Sequence, residues 1–154
     1  MNKKIIFIAL LLFVSFFLIF KTANKNKSEQ EPYKGIIELY KTRTCDCCTE
    51  YAEYLIKNGY KVKIKVVSDF ELEKLKDKLG IPKSLRSCHT SLIDNKIIEG
   101  HVPIEVIEKF LNTSWKGLSL PGMPIGSPGM SGPKLEEFVF YVFNESSKKE
   151  FIKM

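Results

Sequence analysis

The sequence is short of the groups on which most enzyme chemistry relies. Two histidines and four cysteines are spread over 154 residues. No Ser-His-Asp order, phosphate-binding loop or paired set of catalytic carboxylates stands out, and two histidines restrict general acid–base alternatives. No internal repeat is visible, and no second long apolar run follows residue 20. The body also lacks a charge surplus. The formal net charge is +6, but residues 1–27 hold five lysines and no acid, whereas the remainder holds 19 basic and 18 acidic residues. A nucleic-acid-binding domain needs a basic face, and this body has no excess to build one. Nucleic acid is therefore excluded as a partner. Hydrophobic residues at 44% and charged residues at 27% exclude a collagen-like, coiled-coil or wholly disordered chain.

The N-terminus reads as a targeting or anchoring segment, residues 1–20. Behind Lys3 and Lys4, the run from Ile5 to Phe20 is apolar except for Ser15. Its 16 residues lie between a signal h-region of about 7–15 and a membrane span of about 20. A cleavage site needs small residues at −3 and −1. The best candidate, after Ala23, places Lys21 at −3, so an uncleaved anchor is expected. The expected location is periplasmic or extracytoplasmic, tethered to the inner membrane through residues 5–20. Residues 21–33 (KTANKNKSEQEPY) form a polar linker without apolar periodicity. The folded domain is expected over 34–143, with 144–154 a polar, frayed tail.

Within the body, Gly35–Tyr40 suits a strand. Cys47–Lys57 has helical spacing and stops at Asn58-Gly59. Tyr60–Val67 alternates lysine with valine or isoleucine, the period of a strand. Ser68-x-x-Glu71 is a capping box that opens a helix ended by Gly80, with Leu72, Leu75 and Leu79 on one face. Pro82 suits a short helical turn. Thr90–Ile93 and Lys96–Ile98 make a hairpin across Asp94-Asn95. Pro103 starts a helix with Ile104, Ile107 and Leu111 inward. The order β-α-β-α-β-β-α, a βαβ unit followed by ββα, is the thioredoxin-like arrangement, an α/β sheet with helices on both faces. Residues 117–133 hold five glycines and four prolines, so no regular element is expected there. One extra strand is expected at Glu137–Phe143.

The soft metal ligands are grouped. All four cysteines, both histidines and the two internal methionines fall in four patches: Cys45-Asp46-Cys47-Cys48, Cys88-His89, His101, and Met123 with Met130. Cys45 and Cys48 have C-x-x-C spacing where a strand turns into a helix. Amide N–H groups and the helix dipole there can lower a thiol pKa. A C-x-x-C after the first strand of a βαβ pattern is a redox signature, and an exported protein can also use such a pair as a structural disulfide. The third cysteine, Cys47, complicates exchange and enlarges a thiolate cluster. In a thioredoxin-like sheet the segment before the third strand passes the first helix's N-terminus, so Cys88 and His89 face the Cys45–Cys48 loop. His101 alone fits a surface histidine as well as a ligand. Met123 and Met130 sit in a repeated Pro-Gly-Met pattern. Thioethers bind Cu(I) and do not titrate, although two methionines can equally pack the loop onto the core.

Four motifs resemble the CopG-like family of exported copper-resistance proteins: YKTRTCDCC (40–48), SCHT (87–90), EGHVP (99–103) and PGMPIGSPGM (121–130). The similarity covers roughly residues 36–143. It implies a thioredoxin-like fold and a cysteine-rich site for Cu(I), with a multinuclear copper–thiolate cluster within its range. It carries over Cys45, Cys47, Cys48 and Cys88 as ligands; His89, His101, Met123 and Met130 match motif positions. By the same resemblance, His89 stands near the place of the thioredoxin cis-proline, which suggests a ligand or proton handler.

Three functions follow from these residues. The first is copper handling outside the cytoplasm, with copper ions and a copper-efflux or copper-oxidase protein as partners. The second is thiol–disulfide exchange, with Cys45 the nucleophile and Cys48 the resolving thiol. The third is structural zinc, which the adjacent pair Cys47-Cys48 disfavours because tetrahedral wrapping is harder than with two separate knuckles.

Overall fold

The structure is a computed structural model, and it describes residues 34–154. The expectations for the apolar segment 1–20 and the linker 21–33 lie outside the described residues.

The chain opens with β1 (Gly35–Thr42), followed by α1 (Asp46–Lys57) and β2 (Tyr60–Val67). β1 and β2 pair in parallel, from Gly35 opposite Tyr60 to Thr42 opposite Val67. α2 (Asp69–Lys78) starts at the expected capping box. The Ser68 amide donates to Glu71 Oε2 at 2.8 Å, and the Glu71 amide donates to Ser68 Oγ at 3.3 Å. A 3-10 turn (Lys83–Leu85) leads towards β3 (Thr90–Ile93) and β4 (Lys96–Glu99), an antiparallel hairpin whose turn holds Asp94 at φ 51°. α3 (Ile104–Leu111) follows Pro103, which occupies the N-cap.

Beyond α3 the structure departs from the expected order. β5 (Gly117–Ser119) lies within the glycine–proline segment and pairs in parallel with β4. Leu118 and Leu120 are buried, and Ser119 donates its hydroxyl to the Leu85 carbonyl. Gly117 is required sterically: a Cβ there would lie 2.1 Å from the Phe143 ring. The expected last strand is β6 (Val139–Phe143), two residues shorter at its start. The segment from Asn144, expected to fray, turns back as β7 (Lys148–Lys153), antiparallel to β6. Asn144 Oδ1 accepts the amides of Ser146 at 3.1 Å and Ser147 at 2.9 Å, an Asx-type turn that starts the hairpin. The result, among the described residues, is a seven-stranded mixed sheet in the order β2-β1-β3-β4-β5-β6-β7, with three α-helices.

Alternation along the strands gives the sheet two apolar faces. One packs Ile37, Leu39, Ile93, Ile98, Leu118, Phe140 and Val142 against Tyr51, Ala52 and Leu55 of α1 and Val106, Ile107 and Phe110 of α3. The other packs Ile97 and Phe143 against Ile81 and Leu85, with Leu79 at its margin. Ile97 and Ile98, adjacent on β4, thus serve opposite layers, and helical segments cover both.

Candidate metal centre

Cys45 is the N-cap of α1 and makes no side-chain capping bond; Asp46, Cys47 and Cys48 form the first turn. The helical turn projects the sulfurs towards one another. Cys45 and Cys48 are joined as a disulfide, while Cys47 and Cys88 are free. Cys48 is fully buried and Cys45 partly exposed. Cys47 Sγ lies 3.6 Å from Cys45 Sγ, and Cys88 Sγ lies 3.5 Å from Cys48 Sγ. All four sulfurs fall within 4.8 Å of one another. The two chain segments therefore deliver one sulfur group, as their expected positions in the sheet required.

Cys88 and His89 owe their placement to a clamp on the two residues before them. Lys76, on α2, donates to the Ser87 carbonyl and forms an ion pair with Glu99 Oε1 at 2.6 Å. Both side chains of the pair are buried. Glu99 Oε1 also accepts the Ser87 amide at 2.7 Å, and Oε2 accepts the Thr90 hydroxyl at 2.6 Å. Arg86 is held from outside by Glu73 and Asp77. The cysteine turn thus hangs between an inner and an outer ion pair.

The histidines complete the group. His101, between β4 and α3, is buried. Its Nδ1 sits 2.7 Å from the Pro128 carbonyl. A carbonyl only accepts, so Nδ1 carries the proton and the neutral ring turns a lone pair at Nε2 outward. That Nε2 lies 3.1 Å from Cys88 Sγ. His89 Nδ1 lies 3.4 Å from the same sulfur, and its buried Nε2 has no hydrogen-bond partner. Cys48, Cys88, His89 and His101 form a second set with ligand atoms within 4.8 Å of one another. The Tyr51 ring packs 4.7 Å from His89 and 5.2 Å from His101, with its hydroxyl bonded to the Val102 carbonyl at 2.8 Å.

Burial sets the protonation of these groups. Desolvation pushes the Cys88 thiol up to about 12, with the neighbouring Cys47 adding to the rise and the Ser87 hydroxyl opposing it. Desolvation also holds His89 well below the usual histidine range, with His101 and Lys76 adding to it, and lowers His101. Both rings are thus held neutral, the form that ligates metals.

The six cysteine and histidine candidates come together; the methionines divide. The Pro128 strap passes over the site. A Cβ on Gly129, whose φ is +78°, would lie 2.6 Å from the Tyr51 amide and 2.9 Å from the Cys47 carbonyl. Met130 is the next residue and is partly buried. Met123 is half exposed and lines a hollow of about 230 Å³ with Pro124, Ile125, Leu135, Glu136 and Phe138, a wall without cysteine or histidine. Sequence reasoning missed Lys76, Glu99, Tyr51 and Lys41. A signal existed for the two lysines. Lys76 falls four residues after Leu72 on the inward face of α2, and Lys41 continues the inward alternation of Ile37 and Leu39.

Cys88, His89, His101 and Met130 lie in a segment that matches a known family. Residues 85–130 match the family described as "Protein of unknown function, DUF411". No match was found among curated proteins. Two solved structures of a copper resistance protein, CopG in Form 1 and Form 2, each align with a TM-score of 0.72 and 34% identity. Each alignment spans 80% of this chain, and 98% and 99% of those chains respectively. At that identity over nearly the whole of the relative, with a Cys/His cluster able to bind metal at its centre, the chain belongs to the family of the copper resistance protein CopG.

Proposed function

We propose that this chain is an exported, membrane-tethered copper-handling protein that holds Cu(I) on the sulfurs of Cys45, Cys47, Cys48 and Cys88, with His89, His101 and Met130 as further donors. The observation that carries this reading is the convergence of four sulfurs and two neutral imidazoles from separate segments. Soft thiolates favour Cu(I) over harder cations. His101 supports it further, since its Nε2 lone pair is turned to Cys88 Sγ, 3.1 Å away. The scaffold is read as thioredoxin-like, with β5 to β7 added to that core. Met123, half exposed in a hollow without cysteine or histidine, is left out of the proposed donor set.

In the disulfide form two thiols remain, so copper loading requires reduction first. The test is copper and thiol counting on one anaerobic sample of the full chain after reduction and Cu(I) loading. More than one copper with all four thiols protected is expected. No uptake against a competing chelator would sink the reading. A reporter-enzyme fusion after residue 33 tests export: activity only outside the cytoplasm is expected.

The Cys45–Cys48 pairing favours a second reading, thiol–disulfide exchange. Cys45 is the more exposed sulfur and sits at the helix start. Its thiolate would attack a partner disulfide, displacing one partner thiolate, and Cys48 would then displace the second. A Cys48→Ser variant should trap a mixed disulfide; failure to capture any partner counts against it.

A further inference from the structure

Among the described residues two lysines are buried, Lys76 and Lys41. Lys76 has Glu99 as its counter-ion. Lys41 has none: it is 6% exposed, forms no ion pair among the described residues, and donates to Thr49 Oγ1 at 2.7 Å. An unpaired buried ammonium is costly. Its position makes the cost larger. Thr49 lies in the first turn of α1, where the helix dipole is already positive. The N-cap, Cys45, supplies no side-chain acceptor for the first amides. Asp46, the acid of that turn, is exposed and forms no ion pair among the described residues. The positive charge of Lys41 also adds, as a minor cause, to what disfavours protonation of His89. The helix dipole and Lys41 therefore both raise the positive potential at the Cys45–Cys48 turn, and among the described residues the one buried carboxylate near the site, Glu99, is paired with Lys76.

The group that can balance them is the sulfur cluster in its reduced form. Two electrons added to the Cys45–Cys48 disulfide leave two sulfurs with one negative charge each, to be protonated or bound to Cu(I). Four thiolates carry four negative charges, so the assembly stays anionic until four Cu(I) ions are bound. We propose that Lys41 is the counter-charge of the cysteine site, stabilising the anionic copper–thiolate form and favouring the reduced sulfurs over the disulfide. This inference rests on the copper reading above. Lys41 acts as a positioning residue for charge and is not a ligand.

The experiment uses the full chain with Lys41→Met, Lys41→Gln and Lys41→Arg. The disulfide midpoint potential is set by mixtures of reduced and oxidised dithiothreitol at fixed pH, and Cu(I) affinity by competition with a chelator. For Lys41→Met the disulfide equilibrium shifts towards the oxidised form on the order of tenfold, the effect of one partly buried charge. For a two-electron couple that is about 30 mV more negative. Cu(I) binding weakens in the same variant, and Lys41→Arg stays near wild type. Lys41→Gln keeps a donor for Thr49 without the charge and should follow Lys41→Met, which guards against a packing loss. Wild-type potential and affinity in Lys41→Met or Lys41→Gln would overturn the proposal. So would an equal loss in Lys41→Arg. If the wild-type chain takes up no Cu(I), the copper reading fails, while the shift in potential still decides whether Lys41 acts on the sulfurs.

Discussion

Single residues set the chemistry of the cysteine site through burial. With its thiol pushed up to about 12, Cys88 is protonated at neutral pH until a metal displaces the proton. Loading reduced protein with Cu(I) in weak buffer at pH 7 should therefore release a proton from Cys88, and Cys88→Ser should release one fewer and bind more weakly. Proton counting by pH-stat checks this. The histidines make the copper-free chain acid-sensitive. Their folded pKa values are lowered, so below about 6.5 the unfolded state binds protons that the folded state refuses. Stability is then full above that pH and declines as pH falls through it. Urea midpoints measured from pH 7.5 down to 5 should fall, and less steeply in His89→Gln. Lys76 is a support residue: Lys76→Met strands the buried Glu99 carboxylate and should cost about 3–5 kcal/mol. Lys76→Met combined with Glu99→Leu should recover much of that loss in denaturant unfolding. The inward position of Lys76, four residues after Leu72, was legible in the helical spacing, but its pairing with Glu99 was not, because that partner sits on a strand 23 residues away.

At the scale of elements, those with a strong local period were legible and those held by pairing alone were not. α1, β2 and α2 follow from helical spacing, lysine alternation and the Ser68–Glu71 box. β5 is three residues long, and its glycine reads as a breaker when its role is to admit the Phe143 ring. β7 lies on one edge of the sheet and is charged and exposed over its first three residues. Its backbone bonds to β6, with Phe151 and Ile152 against the core, hold it, and the polar composition of the tail does not report that pairing. The strap over the site depends on Gly129, which occupies a left-handed φ and touches the backbone of α1. Gly129→Ala should be strained on both counts. Overpacking of this kind costs about 1–3 kcal/mol. The expected result is a folded chain with weakened Cu(I) retention, since the Pro128 carbonyl no longer sets the His101 tautomer. Far-UV circular dichroism together with chelator competition separates that outcome from general unfolding.

For the whole molecule, β7 extends the sheet beyond the expected last strand, and the last residues belong to it. Phe138 and Met154 exchange backbone hydrogen bonds of 2.7 and 3.0 Å, while Phe151 and Ile152 pack against the main core. Removing residues 145–154 should cost about 1–2 kcal/mol and lower Tm by roughly 5–10 °C; an unchanged Tm would show the arm to be idle. By itself the sequence determined the α/β class, the first seven elements and the candidate ligand residues, because hydrophobic period, capping and cysteine spacing are local properties. It also determined that the soft donors are scarce and grouped. Only the tertiary structure decided that both imidazoles are buried and neutral, that His101 reaches Cys88, that Lys76 has a counter-ion and that Lys41 has none among the described residues. Those facts depend on which segments lie side by side across the sheet, and burial, partner and charge balance are properties of neighbours far apart in the chain.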